Sequence, residues 1–101
     1  MALSLSTTRD AGMITVTVAG AVDLSTVAEL DQAVLAAIDA GPPSVVVDLA
    51  AVTFIDSAGI NTLLKSRRLA DERGQHFRIT NPTGIVRDVL DLTGVLIHLS
   101  G

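Results

Sequence analysis

The segment between Val45 and Ile60 holds the residues whose types and spacing best support chemistry. It begins with the β-branched run Val45-Val46-Val47 and ends with Asp56-Ser57-Ala58-Gly59-Ile60. A strand, a turn and a helix in that order would put the Ser57 hydroxyl beside the free backbone N–H groups at the helix start. A phosphate added there would be accommodated by those groups and by the positive end of the helix dipole. From spacing alone, the simpler role of a helix cap, worth about 1 kcal/mol, is favoured for Ser57.

Two aspartates are further candidates, and each leaves two interpretations open. Asp56 either aligns the Ser57 hydroxyl or a kinase-bound metal ion, or it is a turn or cap residue whose carboxylate accepts from nearby backbone N–H groups. Asp23 either contacts a partner or caps the first predicted helix.

The first half of the chain predicts a hairpin followed by a helix. Alternating apolar and polar residues predict strands over residues 2–8 and 13–19, joined antiparallel through the turn Asp10-Ala11-Gly12. Apolar residues then recur at helical spacing, with a capping box from Thr26 to Glu29 and a stop at Gly41-Pro42-Pro43. The residues expected on the buried side of this helix are Val27, Leu30, Val34, Leu35 and Ile38.

The middle of the chain predicts a strand, a helix and a second strand. Val45 to Val47 has the composition of a strand covered on both faces, and Phe54-Ile55 either extends it or forms a brief segment of its own. A second helix is expected from Ser57 to Arg73, followed by a short strand that contains Phe77 and Ile79.

A third helix and a last strand complete the prediction. Asn81 is expected to cap this helix, Pro82 to occupy its first position and Gly94 to end it. A closing strand follows over residues 95–99. The residues expected on the buried side of the helix are Ile85, Val86, Val89 and Leu90.

The resulting order of elements is β-β-α-β-α-β-α-β. Strands that alternate with helices after an initial hairpin imply an α/β fold with a mixed β-sheet and right-handed βαβ crossovers. A chain of 101 residues without a linker, repeat or low-complexity tract fits one domain, so we expect a single domain over residues 1–101.

Composition and charge argue against several classes of function. A net charge of -4 disfavours binding to nucleic-acid backbones or anionic membranes, and 2% aromatic residues offer few platforms for stacking bases. The absence of cysteine excludes disulfides and thiolate zinc sites. His76 and His98 are isolated, so we expect no metal and no other cofactor. Four basic residues of the second helix are interpreted as a solvated face or a surface for an acidic partner: Lys65, Arg67, Arg68 and Arg73.

The chain also lacks the signals of a membrane protein or an enzyme. No positively charged start precedes an apolar stretch, and no apolar run approaches the ~20 residues that cross a bilayer. We therefore expect a cytoplasmic protein without membrane insertion. There is no Walker-type loop and no serine between two glycines, and nothing in the spacing assembles a catalytic triad around Ser57. We expect a protein that is not an enzyme.

The chain resembles the STAS family over nearly its whole length, and within that family the anti-sigma factor antagonists. Asp56-Ser57-Ala58-Gly59-Ile60 is similar to the family's phosphorylation loop, Asp-Ser-(Ser/Ala)-Gly-Leu. Gly20-Ala21-Val22-Asp23 is similar to its Gly-Glu-Leu-Asp segment, and Leu90-Asp91-Leu92-Thr93-Gly94 to its late Leu-x-x-x-Gly segment. Two residues depart from the pattern: Ala21 replaces the usual acidic residue, and Ala58 stands where many members carry a second serine.

The resemblance implies a switch in partner binding. Ser57 would be phosphorylated by an anti-sigma factor that is also a serine kinase, and a serine phosphatase would reverse the modification. The unmodified chain, a monomer or weak dimer, would bind that partner and so release a sigma factor. A phosphate adds about -1.5 to -2 charges and would end the binding. The residues expected at the contact are Asp23, Asp56, Ser57, Ala58, Gly59, Ile60 and Asn61.

Two other functions remain open at this point. The same fold could serve as a regulatory subunit that docks on a membrane transporter or a lipid-transport ATPase, a role that needs no phosphorylatable serine. Alternatively, α/β domains bind small ligands or nucleotides at the ends of their sheets, although no motif in this sequence supports a ligand.

Overall fold

The structure, a computed structural model, describes residues 3–92 and residue 94. Four strands and three helices follow one another there in the order β-β-α-β-α-β-α. The elements are β1 (Ser4–Asp10), β2 (Met13–Val22), α1 (Val27–Asp39), β3 (Ser44–Ile55), α2 (Ser57–Glu72), β4 (His76–Thr80) and α3 (Gly84–Leu92). The closing strand predicted over residues 95–99 lies outside the described residues.

The four strands form one mixed sheet in the order β1-β2-β3-β4. β1 and β2 pair antiparallel, and Ala11 and Gly12 turn the chain between them with φ angles of 48° and 82°. The pairs β2–β3 and β3–β4 are parallel, as strands joined through a helix can be. The predicted α/β fold with a mixed sheet and an N-terminal hairpin is confirmed.

β3 is one strand of 12 residues, so Phe54-Ile55 extends the apolar run instead of forming a separate segment. Its second half stays beside β2 after two shifts in register, and Val22 lies opposite Ile55 at the end of the pair. β2 and β3 therefore end at the same edge of the sheet. The segments that follow them, which begin at Asp23 and Asp56, leave the sheet side by side.

One hydrophobic core joins this sheet to all three helices. Side chains that are at most 2% exposed come from β2, β3, β4 and all three helices. In β2 the apolar residues alternate with half-buried threonines, so its apolar side chains share one face, and the helices pack their apolar stripes against the sheet. Examples of these side chains are Val16, Val47, Ile79, Leu30, Leu63, Val86 and Leu90. None of the described helices is long and apolar enough to span a membrane.

Three of the four basic residues predicted on the second helix form ion pairs at its surface. The pairs are Lys65 with Asp31, Arg73 with Asp39, and Arg67 with Asp71. The first pair joins α2 to α1, and the second joins the C-cap residue of α2 to the end of α1. The partners lie eight residues further along both segments in the second pair, so the two helices run parallel. Each exposed pair contributes about 0–1 kcal/mol to stability.

The predicted start of the third helix was wrong. α3 begins at Gly84, two residues after Pro82. Asn81 does not cap the helix, because its φ of 58° turns the chain away and its side-chain amide donates to Asp48 Oδ1 at 3.2 Å. Ile85, predicted to be buried on this helix, is 54% exposed.

The predicted capping box of α1 was also wrong. The Thr26 side chain makes no capping hydrogen bond, and its hydroxyl donates instead to the Ala21 carbonyl at 2.9 Å. Glu29 Oε1 accepts from the backbone N–H of Leu3 at 3.1 Å, which ties α1 to the start of the sheet. Leu35, expected on the buried side of α1, is exposed.

Candidate functional site

The predicted site lies at the edge of the sheet where β2 and β3 end. The backbone N–H of Asp56 donates to the carbonyl of Val22 at 3.1 Å, one residue beyond the last strand pair. This bond joins the segment that contains Ser57 to the turn that contains Asp23. The fold therefore brings two of the three sequence motifs together, although they are more than thirty residues apart in the chain.

Asp56 is the N-cap of α2. Its backbone is extended, and its Oδ1 accepts from the N–H groups of Ala58 at 3.0 Å and of Gly59 at 3.2 Å. The cap interpretation of Asp56 is thus confirmed, since this carboxylate oxygen is committed to the helix start. The interpretation of Ser57 as the cap was wrong: Ser57 is the first helical residue, and its side chain is exposed.

Replacing Asp56 tests how much this cap stabilises the fold. We expect Asp56→Ala to lower the free energy of unfolding by about 1 kcal/mol, because two N–H groups lose their acceptor. Asp56→Asn should lose only a few tenths of a kcal/mol, because an asparagine oxygen accepts the same bonds without the carboxylate's favourable interaction with the helix dipole. Urea denaturation of both variants gives the comparison. Equal losses in the two variants would contradict a capping role.

The turn from Asp23 to Thr26 is held by its own side chains. Asp23 Oδ1 accepts from the Ser25 hydroxyl at 2.6 Å and from the Ser25 N–H at 2.9 Å. Thr26, which is buried, accepts at its hydroxyl from the Asp23 N–H at 3.1 Å. The Asp23 side chain thus orders the turn before α1 instead of capping a helical N–H group.

These hydrogen bonds affect the ionisation of Asp23. The Ser25 hydroxyl and, more weakly, the backbone N–H groups of Ser25 and Thr26 stabilise the carboxylate and hold the Asp23 pKa below its ordinary value of 3.8, against a smaller opposing effect of desolvation. Asp23 is therefore ionised throughout the neutral range, and the turn carries one negative charge there.

An NMR titration of the side-chain carboxyl carbons checks this assignment. The Asp23 midpoint should lie below 3.8, and Ser25→Ala should raise it towards that value because the first cause of the shift is lost. Because the Asp23 pKa is lower in the folded than in the unfolded chain, ionised Asp23 contributes to the free energy of unfolding. That contribution is fully present above the unfolded pKa of about 3.9 and is lost as the pH falls through the folded pKa. An unchanged midpoint in Ser25→Ala would refute the hydroxyl as the main cause.

The other predicted contact residues differ in accessibility. Asn61 is exposed and Ala58 is half-buried, so both are available at the surface beside Ser57. Gly59 and Ile60 are buried. These two residues pack beneath the site, against the ends of β2 and β3 and in the core.

Gly59 is the point where α2 approaches the sheet most closely. A Cβ atom on this residue would lie 2.7 Å from Cγ1 of both Val22 and Ile55, closer than real Cβ contacts. The sequence analysis expected a glycine that makes room for another backbone, whereas the neighbours are the last side chains of β2 and β3. Only glycine lets the N-terminus of α2, and Ser57 with it, sit this close to the sheet.

Two exposed apolar residues near this edge were missed by the sequence analysis. Leu24, at the tip of the Asp23 turn, is 81% exposed, and Phe54, opposite Ala21 at the end of β3, is 41% exposed. The signal for Leu24 was available: it stands in a polar turn, outside the helical spacing that begins at Val27. Within residues 3–92 and 94, no group of three metal-binding side chains is close enough to hold an ion.

Comparisons with known proteins identify the family. The family model described as "Mlab, STAS domain" matches residues 5–98. Among solved structures, an anti-sigma factor antagonist from Mycobacterium paratuberculosis shares 27% identity at a TM-score of 0.88, over 96% of this chain and 82% of that one. The Bacillus cell fate determinant SpoIIAA in its phosphorylated form shares 18% identity at a TM-score of 0.70, over 91% and 85% of the two chains.

The same fold also occurs within a much larger membrane protein. The structure of the murine anion transporter Slc26a9 matches with 22% identity and a TM-score of 0.74, over 89% of this chain and 15% of the transporter. No curated protein sequence matches significantly. Since the family model covers nearly all of the residues, the chain belongs to the STAS domain family.

Proposed function

We propose that this protein is an anti-sigma factor antagonist whose binding is switched by phosphorylation of Ser57. The observation that carries the proposal is the exposed Ser57 at the first position of α2, directly after the capping Asp56. The relative from Mycobacterium paratuberculosis, at 27% identity over 96% of this chain, supports the general role.

In the proposed mechanism, the unmodified protein binds an anti-sigma factor that is also a serine kinase. The bound kinase no longer holds its sigma factor. The Ser57 oxygen bonds to the γ-phosphorus of ATP while the bond from that phosphorus to the β–γ bridging oxygen breaks, so ADP leaves and the hydroxyl proton passes to a general base of the kinase. The protein is the substrate of this reaction and acts as a binding module, not as a catalyst.

The local structure suits a switch that leaves the fold unchanged. Ser57 is exposed, so a phosphate needs no rearrangement of the core. Asp56 Oδ1 already accepts the Ala58 and Gly59 N–H groups, so the cap remains in place after modification. The phosphate therefore adds its charge to the surface next to Asp56, and a separate serine phosphatase resets the surface.

A phosphorylation assay tests the proposal. The purified protein is incubated with ATP and, one at a time, with the purified anti-sigma factor kinases of its host, and its intact mass is measured. We expect a single added phosphate on the wild type with one of the kinases and none on Ser57→Ala. A wild type that gains no phosphate from any of them, or a Ser57→Ala variant that is still modified, would overturn the proposal.

The second candidate is a regulatory subunit that docks on a membrane transporter or a lipid-transport ATPase. The fold alone does not decide between the two roles, since a STAS-like domain also occurs in an anion transporter. The exposed Ser57 beside Asp56 favours the first. Co-purification with a membrane protein in place of a kinase, unaffected by Ser57→Asp, would favour the second.

A further inference from the structure

We infer that Leu24 is the apolar anchor of the partner interface and inserts into an apolar pocket on the anti-sigma factor kinase. The inference rests on the proposed function, because it concerns the same binding surface. It adds a contact that the phosphorylation motif does not contain, on the turn between β2 and α1.

The first support is the exposure of Leu24 on an ordered turn. A single exposed leucine is common on protein surfaces and needs no explanation by itself. Leu24, however, is 81% exposed at the tip of a turn that Asp23, Ser25 and Thr26 hold with hydrogen bonds of 2.6 to 3.1 Å. Because the turn is already ordered, burying its leucine against a partner costs little conformational entropy.

The polar groups around Leu24 also suit an interface. The Ser25 hydroxyl and backbone N–H both donate to Asp23, and the Thr26 hydroxyl donates to the Ala21 carbonyl. These donors keep their partners when water is removed from the turn, so they add little desolvation cost. The apolar side chain can therefore be buried without leaving these groups unpaired.

The second support is the position of Leu24 beside the phosphorylation site. The 3.1 Å hydrogen bond from the Asp56 N–H to the Val22 carbonyl fixes the two segments together. Leu24 is two residues from Val22 and Ser57 is one from Asp56, so the Cα atoms of Leu24 and Ser57 lie within about 18 Å of each other. An interface of ordinary size, about 800 Å² on each partner, covers both residues. Phe54, 41% exposed and opposite Ala21, lies at the same edge of the sheet.

Binding measurements on matched leucine variants test the inference. The affinity of each variant for the anti-sigma factor kinase that binds the wild type is measured by calorimetry, with the thermal midpoint as a check on folding. We expect Leu24→Ala to weaken binding by about tenfold or more, as loss of a buried anchor does. Leu24→Met, which keeps the apolar volume, should bind nearly as the wild type does.

Leu92 supplies the control, since it is 87% exposed on α3, so Leu92→Ala should change nothing. Wild-type affinity in Leu24→Ala, with binding still lost in Ser57→Asp, would overturn the inference and leave the proposed function standing. A wild type that none of the host's anti-sigma factor kinases binds would overturn the proposed function and this inference together.

Discussion

Ser57→Asp is expected to weaken binding of the anti-sigma factor kinase by about a hundredfold or more, which corresponds to ~2.7 kcal/mol. Ser57 is exposed at the start of α2, on the surface proposed to meet the kinase. A charge that becomes buried without a partner in an interface costs about 2–5 kcal/mol, which is enough for this loss. Calorimetry with the purified kinase measures it.

Ser57→Asn is the matched control for the charge. Asparagine has nearly the shape of aspartate and no charge, so it should keep most of the wild-type affinity. Aspartate carries one negative charge, whereas a phosphate carries about -1.5 to -2. The loss of affinity in Ser57→Asp should therefore be smaller than the loss that phosphorylation causes. If the two variants weaken binding equally, size and not charge acts at this position.

The fold should not respond to the same substitution. An acidic residue in the first turn of a helix gains about 0.3–1 kcal/mol from the helix dipole, while the neighbouring Asp56 opposes it. The free energy of unfolding of Ser57→Asp should therefore stay within about 0.5 kcal/mol of the wild type. Lost affinity in a variant of unchanged stability would separate a surface switch from local unfolding.

The sequence was sufficient to predict a mixed sheet, the hairpin and the order of strands and helices over the described residues, although α3 begins two residues later than predicted. Strict alternation in residues 13–19 and the run Val45-Val46-Val47 report which faces are buried, and that information is local. The same kind of signal placed Ser57 at the start of the second helix, because it follows a buried strand and precedes a helix-start glycine with only Asp56 and Ala58 between. Its role as the phosphorylated residue was implied only by the resemblance to the STAS family. Periodicity and turn chemistry act over a few residues, so a single sequence contains them.

The details that sequence could not supply depend on contacts between distant residues. Glu29 was expected to complete a capping box four residues long, yet it accepts from Leu3, 26 positions away. Asn81 was expected to cap α3, yet its amide bonds to Asp48, 33 positions away. Each side chain had two satisfactory partners, and only the folded chain decides which one is within reach.

The roles of Asp56 and Ser57 also depend on a contact between distant residues. Ser57 and Asp56 are both good cap residues, so local preference alone did not assign the cap to either. The Asp56 N–H bond to Val22 fixes the chain direction at the end of β3, and this leaves the Asp56 carboxylate facing the Ala58 and Gly59 N–H groups. Ser57 is then displaced to the first helical position, where it is exposed.

Gly59→Ala should be among the most destabilising single-methyl changes in the site, lowering the free energy of unfolding by about 1–3 kcal/mol. The added Cβ would lie 2.7 Å from Cγ1 of Val22 and of Ile55, which are both buried and cannot move aside freely. In an uncrowded helix the same substitution would raise the free energy of unfolding by about 0.5–1 kcal/mol. A net decrease would therefore come from the contacts of the new methyl group with Val22 and Ile55. Urea denaturation measures it.

A double-mutant cycle with Val22→Ala identifies the contact responsible. Val22→Ala removes one of the two Cγ1 atoms that the new methyl group would meet, so Gly59→Ala should cost less in that background, by about 0.5 kcal/mol or more. Because the start of α2 must move to admit the methyl group, phosphorylation of Ser57 should also slow in Gly59→Ala and recover in part in the double variant. Additive stabilities would mean that the methyl group is accommodated elsewhere, and that the close approach of α2 to β2 does not set the position of Ser57.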